Sequence, residues 1–226
     1  MKKLTALSLT LALLCSLAAC GGTPTQSETP TPADTTPVET PEAPTPTPEA
    51  TPEPVESEEP VEATTRVLVA CFSATGNTLP LAEYIAEELG ADLYEIMPET
   101  PYTTEDLNWH DSTTRATTEQ NDDTARPAIS GSVDNMEDYD VIFLGYPIWW
   151  GQAPKIMYTF LESYDLSGKT IVPFCTSGSS GMGSSATNLH PSADGATWLE
   201  GRRFSAGTSR ETMAEWVNSL GLTITA

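Results

Sequence analysis

Arg66-Val67-Leu68-Val69-Ala70-Cys71-Phe72-Ser73-Ala74-Thr75-Gly76-Asn77-Thr78 changes character halfway along. Its first half is a short apolar, β-branched run of the length expected for a strand buried on both faces. Its second half is a small, hydroxyl-rich loop. Beyond the loop, Ala82, Ile85, Ala86 and Leu89 fall at i, i+3, i+4 and i+7. That spacing predicts the core face of a helix, with Glu83, Glu87 and Glu88 on its polar side and Gly90 as its stop. A strand, a hydroxyl-rich loop and a helix in succession form either an ordinary helix cap or a phosphate cradle. In the second case, loop N–H groups and the positive end of the helix converge on one dianion. No Lys or Arg occurs from Val67 to Thr114, and the loop lacks the Gly-Lys-Ser/Thr ending of a nucleoside-triphosphate loop. Any phosphate held here is therefore held by neutral donors.

Ala91–Ile96 alternates as a second strand. Asp140-Val141-Ile142-Phe143-Leu144-Gly145 is a further buried-strand run, and it empties into Tyr146-Pro147-Ile148-Trp149-Trp150-Gly151. Two adjacent indoles in a loop require a large flat cover, either the protein's own core or a planar ligand. Thr170-Ile171-Val172-Pro173-Phe174-Cys175 reads as a fourth strand although it contains a proline, which usually marks an edge. The small-residue stretch Thr176–Ser185 follows; it is either a surface loop or a place where a ligand meets backbone closely. Met157, Phe160, Leu161 and Tyr164 predict one later helix, and Met213, Trp216, Val217 and Leu220 another, with Trp216 in the core. A fifth strand, interrupted by Gly201, is expected near Trp198–Ser205. Residues 99–139 show little periodicity, and Trp109, His110 and Arg115 within them read either as substrate contacts or, in preference, as a satisfied surface aromatic and solvated polar residues.

Three of these segments carry a family likeness. Phe72-Ser73-x-Thr75-Gly76-Asn77-Thr78-x-x-x-Ala82 resembles the FMN phosphate loop of flavodoxins, and Gly145-Tyr146-Pro147-Ile148-Trp149-Trp150-Gly151 resembles their loop against the isoalloxazine ring. The loop after Cys175 occupies the place that meets the flavin's polar edge and ribityl chain. The resemblance spans residues 64–226 and implies a three-layer α/β sandwich with a five-stranded parallel sheet in order 2-1-3-4-5. Its ligand would bind at the C-terminal strand ends, where open α/β sheets bind. By this likeness Ser73, Ala74, Thr75, Gly76, Asn77 and Thr78 would hold the phosphate. Pro147, Ile148, Trp149, Trp150 and Gly151 would pack on the ring, and Thr176, Ser177, Gly178, Ser179 and Gly181 would line its polar edge. In that order Cys71 and Cys175 stand two strand spacings apart, about 10 Å, which is beyond disulfide reach.

Resemblance thus implies an FMN-binding electron carrier acting on an unidentified redox partner protein or small-molecule acceptor. An FMN-dependent reductase that takes hydride from NAD(P)H and reduces a quinone or small acceptor is the alternative. A tethered binding module that has lost its cofactor is another. No catalytic residue and no metal ligand stands out.

The rest of the chain concerns location. Lys2 and Lys3 precede the apolar run Leu4–Leu14, and Leu17-Ala18-Ala19-Cys20-Gly21 resembles the lipobox of bacterial lipoproteins. Residues 1–19 would then be a signal peptide, and Cys20 the lipidated terminus of a protein on the extracytoplasmic face of a cell membrane. Residues 21–63 hold 11 of the 19 prolines and 10 of the 32 acids, with no Lys, Arg, Leu, Ile or aromatic residue, so they cannot bury a core. At about 3.1 Å per residue this Thr/Pro/Glu spacer reaches at most roughly 130 Å. From residue 64 onward 22 acids oppose 8 bases, a net of −14. That charge argues against nucleic acid and against anionic lipid as an electrostatic partner, since both need a positive footprint.

Overall fold

The computed structural model describes residues 65–223. The expected signal segment, the lipidated Cys20 and the spacer to residue 63 lie outside the described residues. In chain order the elements are β1 (Val67–Cys71), α1 (Leu79–Leu89), β2 (Asp92–Glu95), β3 (Met97–Pro98), α2 (Arg115–Asn121), β4 (Ile129–Ser130), β5 (Val141–Pro147), α3 (Lys155–Glu162), β6 (Thr170–Thr176), β7 (Thr197–Trp198), β8 (Arg202–Phe204) and α4 (Arg210–Ser219).

The apolar runs Val67–Cys71 and Val141–Tyr146 are buried along their whole length, as strands flanked by helices on both faces must be. β1 pairs in parallel with β2 on one side and β5 on the other, and β5 pairs in parallel with β6. β3 and β4 form a separate antiparallel ribbon. The sheet therefore runs β2-β1-β5-β6, with β7 and β8 sharing the fifth position along the outer edge of β6. This is the flavodoxin-like order expected from the sequence, 2-1-3-4-5, except that its last strand comes in two pieces.

Pro173 and Gly201 explain that split. The Ile171 carbonyl accepts from the Leu199 N–H on the edge side, and strand period two turns Pro173 toward the same side. Proline has no N–H to give there, so the ladder breaks. Gly201 fills the gap: a Cβ on it would lie 2.6 Å from the Pro173 carbonyl oxygen.

Period two also sorts the core into two layers. Leu68, Ala70, Ile142, Leu144, Tyr146 and Cys175 pack on one face with Ile156, Met157 and Phe160 of α3. Val69, Cys71, Phe143, Val172 and Phe174 pack on the other with Ile85 of α1 and Met213 and Trp216 of α4. Cys71 and Cys175 are free, buried and on opposite faces, a stronger bar to a disulfide than their strand spacing. Helix α1 stops at Gly90, whose φ of 60° is the left-handed conformation that glycine adopts without a Cβ penalty. Among the described residues no helix is long and apolar enough to cross a membrane.

Candidate functional site

All three loops singled out in the sequence leave the C-terminal ends of neighbouring strands, β1, β5 and β6. In the first, the Ser73 hydroxyl accepts from the N–H groups of Thr78 and Leu79, each at 3.1 Å. Ser73 thereby caps α1 from five positions upstream, because Thr78 makes no side-chain cap of its own. The Thr78 hydroxyl, which is buried, instead meets the Thr176 hydroxyl at 2.7 Å and ties this loop to the end of β6. Asn77 donates from Nδ2 to the Thr75 hydroxyl at 3.0 Å. Gly76 turns the loop at φ 74°. The N–H groups of Thr75 and Asn77 donate to no acceptor among the described residues. The loop thus presents uncharged donors at the start of a helix, which is what a neutral phosphate cradle requires.

After β5 the chain makes a tight reversal. Trp149 and Gln152 exchange both backbone hydrogen bonds at 2.9 Å, and the two residues between them, Trp150 and Gly151, have φ of 46° and 75°. Two successive positive φ values are the hairpin geometry that normally takes Asn-Gly, so a tryptophan there is strained by about 1–2 kcal/mol. The two indoles separate. Trp149 turns inward, edge-on to Phe72 and Tyr102 with ring centroids 5.6 and 5.3 Å away, whereas Trp150 stays 47% exposed.

A residue that sequence reasoning missed holds this turn: Gln120 of α2 donates from Nε2 to the carbonyls of Trp149 at 3.2 Å and Ala153 at 2.9 Å. With the amide nitrogen so committed, Gln120 Oε1 is buried without a partner. Gln152 Oε1 accepts from Asn188 Nδ2 at 2.6 Å, linking the turn to the segment after β6.

The loop after β6 is pinned at its start. The Ser177 N–H donates to the Phe204 carbonyl, and Arg203 donates from Nε to the Ser177 hydroxyl at 3.0 Å and from Nη2 to its carbonyl. Ser177 in turn donates its hydroxyl proton to the Ser180 carbonyl. Gly178 has open space where a Cβ would stand, and Ser179 and Gly181 are exposed. Arg203 reaches this loop from the edge strand, so a base does stand beside the site although none is near the phosphate loop in sequence.

These loops enclose two adjoining lobes that share Ile148 and Trp149. A polar lobe of about 450 Å³ is lined by Asn77, Pro147, Thr176, Ser177 and Gly178 together with Ser205 and Ala206 from beyond β8. An apolar lobe of about 400 Å³ is lined by Thr75, Trp150, Leu107, Trp109 and Ala116. No ionisable side chain lines either lobe. Ser73 and Ala74 face a smaller hollow beside Ile96 and Tyr102.

Trp109, read from the sequence as a surface aromatic with a substrate contact as the alternative, is 67% exposed and forms a wall of the apolar lobe. Its neighbour His110 lies against its ring. Arg115 has a structural role: its guanidinium covers the Tyr102 ring at 4.1 Å, bonds Glu119 at 2.6 Å and donates to the Thr100 carbonyl. The Tyr102 phenol, pushed well up by burial and by its hydrogen bond to Glu119, stays protonated. Burial likewise raises the Cys175 thiol to about 12 against the opposing pull of Arg203, and raises Cys71 with help from Glu95 and Glu83. Neither thiol is a nucleophile at neutral pH.

The family model of Flavodoxin matches residues 66–220. Among solved structures, a candidate flavoprotein from Bacteroides eggerthii is 44% identical, with a TM-score of 0.66, and the match covers 70% of this chain and 99% of that one. A second candidate flavoprotein, from Bacteroides uniformis, is 42% identical with a TM-score of 0.66 over 69% of this chain and 99% of that one. A flavoprotein from Lactobacillus acidophilus in complex with FMN shares the fold, at 22% identity and a TM-score of 0.52, over 62% of this chain and 93% of that one. No match was found among proteins of curated function.

Proposed function

Because the chain belongs to the flavodoxin family, we propose that it binds FMN non-covalently in its two-lobed site and transfers electrons from the outer face of a membrane, held there by lipid on Cys20. The observation that carries the reading is the convergence of three loops of neutral donors on one uncharged site at the C-terminal edge of the sheet. The residues fit the group. Free N–H donors at Thr75 and Asn77 and the start of α1 suit a phosphate held without a base. Open backbone at Gly178 suits a polar ring edge and ribityl chain, with the Thr176 and Ser177 hydroxyls holding that loop in place through Thr78, Ser180 and Arg203, and Ile148 and Trp149 suit the flat face of the ring. Bound FMN supplies the one- and two-electron chemistry, while the protein supplies burial, orientation and charge.

Ser73 and Thr78 act one step back. Their hydroxyls are already bonded within the scaffold, so they shape the cradle through the start of α1 and the end of β6. The reductase reading is favoured by one observation, the apolar lobe next to the polar one, which a carrier that hands electrons to a protein does not need. Visible absorption of the purified chain with and without added FMN tests the proposal. A red-shifted, structured flavin band with FMN and a markedly weaker response to riboflavin is expected. A chain that takes up neither has lost the cofactor and is a tethered binding module.

A further inference from the structure

We propose that the free edge of β2 is a docking site for a basic, extended segment of a partner protein, which adds to the sheet as a further strand. β2 ends the sheet, and among the described residues nothing pairs with its outer side. The Ile96 N–H donates to the Cys71 carbonyl of β1, and strand alternation turns the N–H and C=O groups of Leu93 and Glu95 the other way, outward. Beyond them Met97 is already taken, since it pairs with Ser130 in the β3–β4 ribbon. The free edge is thus a bounded gap of two donors and two acceptors, the template on which a peptide strand can add.

Apolar surface marks the same place. Four large apolar side chains are exposed among the described residues; Trp109 and Trp150 stand at the apolar lobe, and the other two are Leu93 at 41% and Met97 at 43%. Strand period two puts both on one face, with Glu95 between them. Leu93 also borders a shallow hollow of about 270 Å³ with Glu83, Ala86, Glu87 and Ala91. An incoming strand would cover this stripe with its own alternate side chains.

Charge selects the occupant. Asp92 and Glu87 are paired with Arg66 and Arg210, but Glu83 and Glu95 belong to no ion pair among the described residues, and both push the Cys71 thiol up. A second copy would bring the same unpaired acids, and a net of −14, against its own image; short acidic edge strands are a guard against such self-pairing. Residues 21–63 of the chain are excluded by the same sign, with 10 acids and no base, and their 11 prolines lack the N–H that a ladder needs. A strand that alternates Lys or Arg with apolar residues satisfies both the acids and the stripe. Flavin occupancy does not enter, because none of Glu83, Leu93, Glu95 and Met97 lines either lobe.

Hydrogen exchange of the full-length chain, read by NMR at single amides, tests this with an end-blocked heptapeptide of alternating Lys and Val. Saturating peptide should slow exchange of the Leu93 and Glu95 amides at least tenfold. A copy with Pro in place of each Val, equal in charge, and a copy with Glu in place of each Lys should each bind at least tenfold more weakly. Glu95→Lys should weaken the Lys-Val peptide at least tenfold. Glu200→Lys, the same change of charge at an exposed position on the opposite edge of the sheet, should weaken it much less. No binding of the Lys-Val peptide, equal binding of either copy, equal losses in the two variants, or unchanged exchange at Leu93 and Glu95 would overturn the inference. So would a dimer in sedimentation whose Leu93 and Glu95 amides are already protected, since a second copy would then hold the edge.

Discussion

Thr75 and Thr78 stand three positions apart in one loop, yet their hydroxyls have different partners. The Thr75 hydroxyl accepts only from Asn77 and sits beside an N–H with no protein acceptor, so Thr75→Ala should remove a contact to an anion and little else. A hydrogen bond to a charged group contributes about 1.5–3 kcal/mol, which predicts FMN binding weakened roughly tenfold or more and riboflavin binding nearly unchanged. Flavin fluorescence titrations measure both, and equal losses would remove Thr75 from the phosphate. Thr78→Val acts differently, because it leaves the buried Thr176 hydroxyl without its 2.7 Å partner. An orphaned buried hydroxyl costs about 1–3 kcal/mol, so urea denaturation of the flavin-free variant should show a loss of that size. No change would mean that the Thr176 hydroxyl finds another partner.

Helix α4 shows which forces hold an element in this fold. It is joined to α1 by an Arg210–Glu87 ion pair and a hydrogen bond from Asn218 to Glu88, all at the surface. It also buries Trp216, whose ring meets Phe143, Phe174 and Phe204 at centroid distances of 5.9, 6.2 and 5.1 Å. Exposed ion pairs contribute about 0–1 kcal/mol, whereas truncating a buried tryptophan costs about 3–5 kcal/mol. Trp216→Ala should therefore lose several times the stability lost by Arg210→Ala in the same denaturation assay. Comparable losses would mean that the surface pair, and not the core, holds the helix. The sequence anticipated this helix well because four apolar residues at helical spacing, Met213, Trp216, Val217 and Leu220, dictate which face turns inward.

Charge acts over the whole molecule. Adding the second electron to bound FMN adds negative charge to a domain with a net of −14 and an uncharged site, so that step should lie below that of free FMN. The part due to long-range charge should shrink as salt rises, and the part due to burial of the ring should persist. Arg203 opposes the trend from its place on Ser177, so Arg203→Gln should lower the potential further. Redox titrations at two salt concentrations test this: a second step at or above that of free flavin at low salt would refute the low-potential donor. Anchoring is separable. Cys20→Ser should abolish lipid labelling and leave the chain unprocessed or released. Labelled, membrane-bound Cys20→Ser protein would refute the lipobox reading.

The sequence by itself determined the strand-loop-helix opening, the two later strands with their loops and the helical faces, while the sheet order and the edge where a ligand binds were implied by the family likeness of those loops. Each of the former follows from local chemistry: period-two and helical apolar patterns, Gly90 as a stop, and hydroxyl-rich loops placed directly after buried runs. The split of the last strand was half legible, since Gly201 was visible but its pairing against Pro173 depends on two segments meeting. Only the tertiary structure decided the rest. Trp149 turned to the core and Trp150 to the solvent side because φ 46° at one residue separates adjacent indoles, and no propensity encodes that angle. Gln120, Arg203, Leu107 and Trp109 joined the site through contacts that span dozens of residues, from segments with no periodicity of their own. Such contacts arise when chain ends are brought together by the packing of everything between them, so no window of sequence contains them.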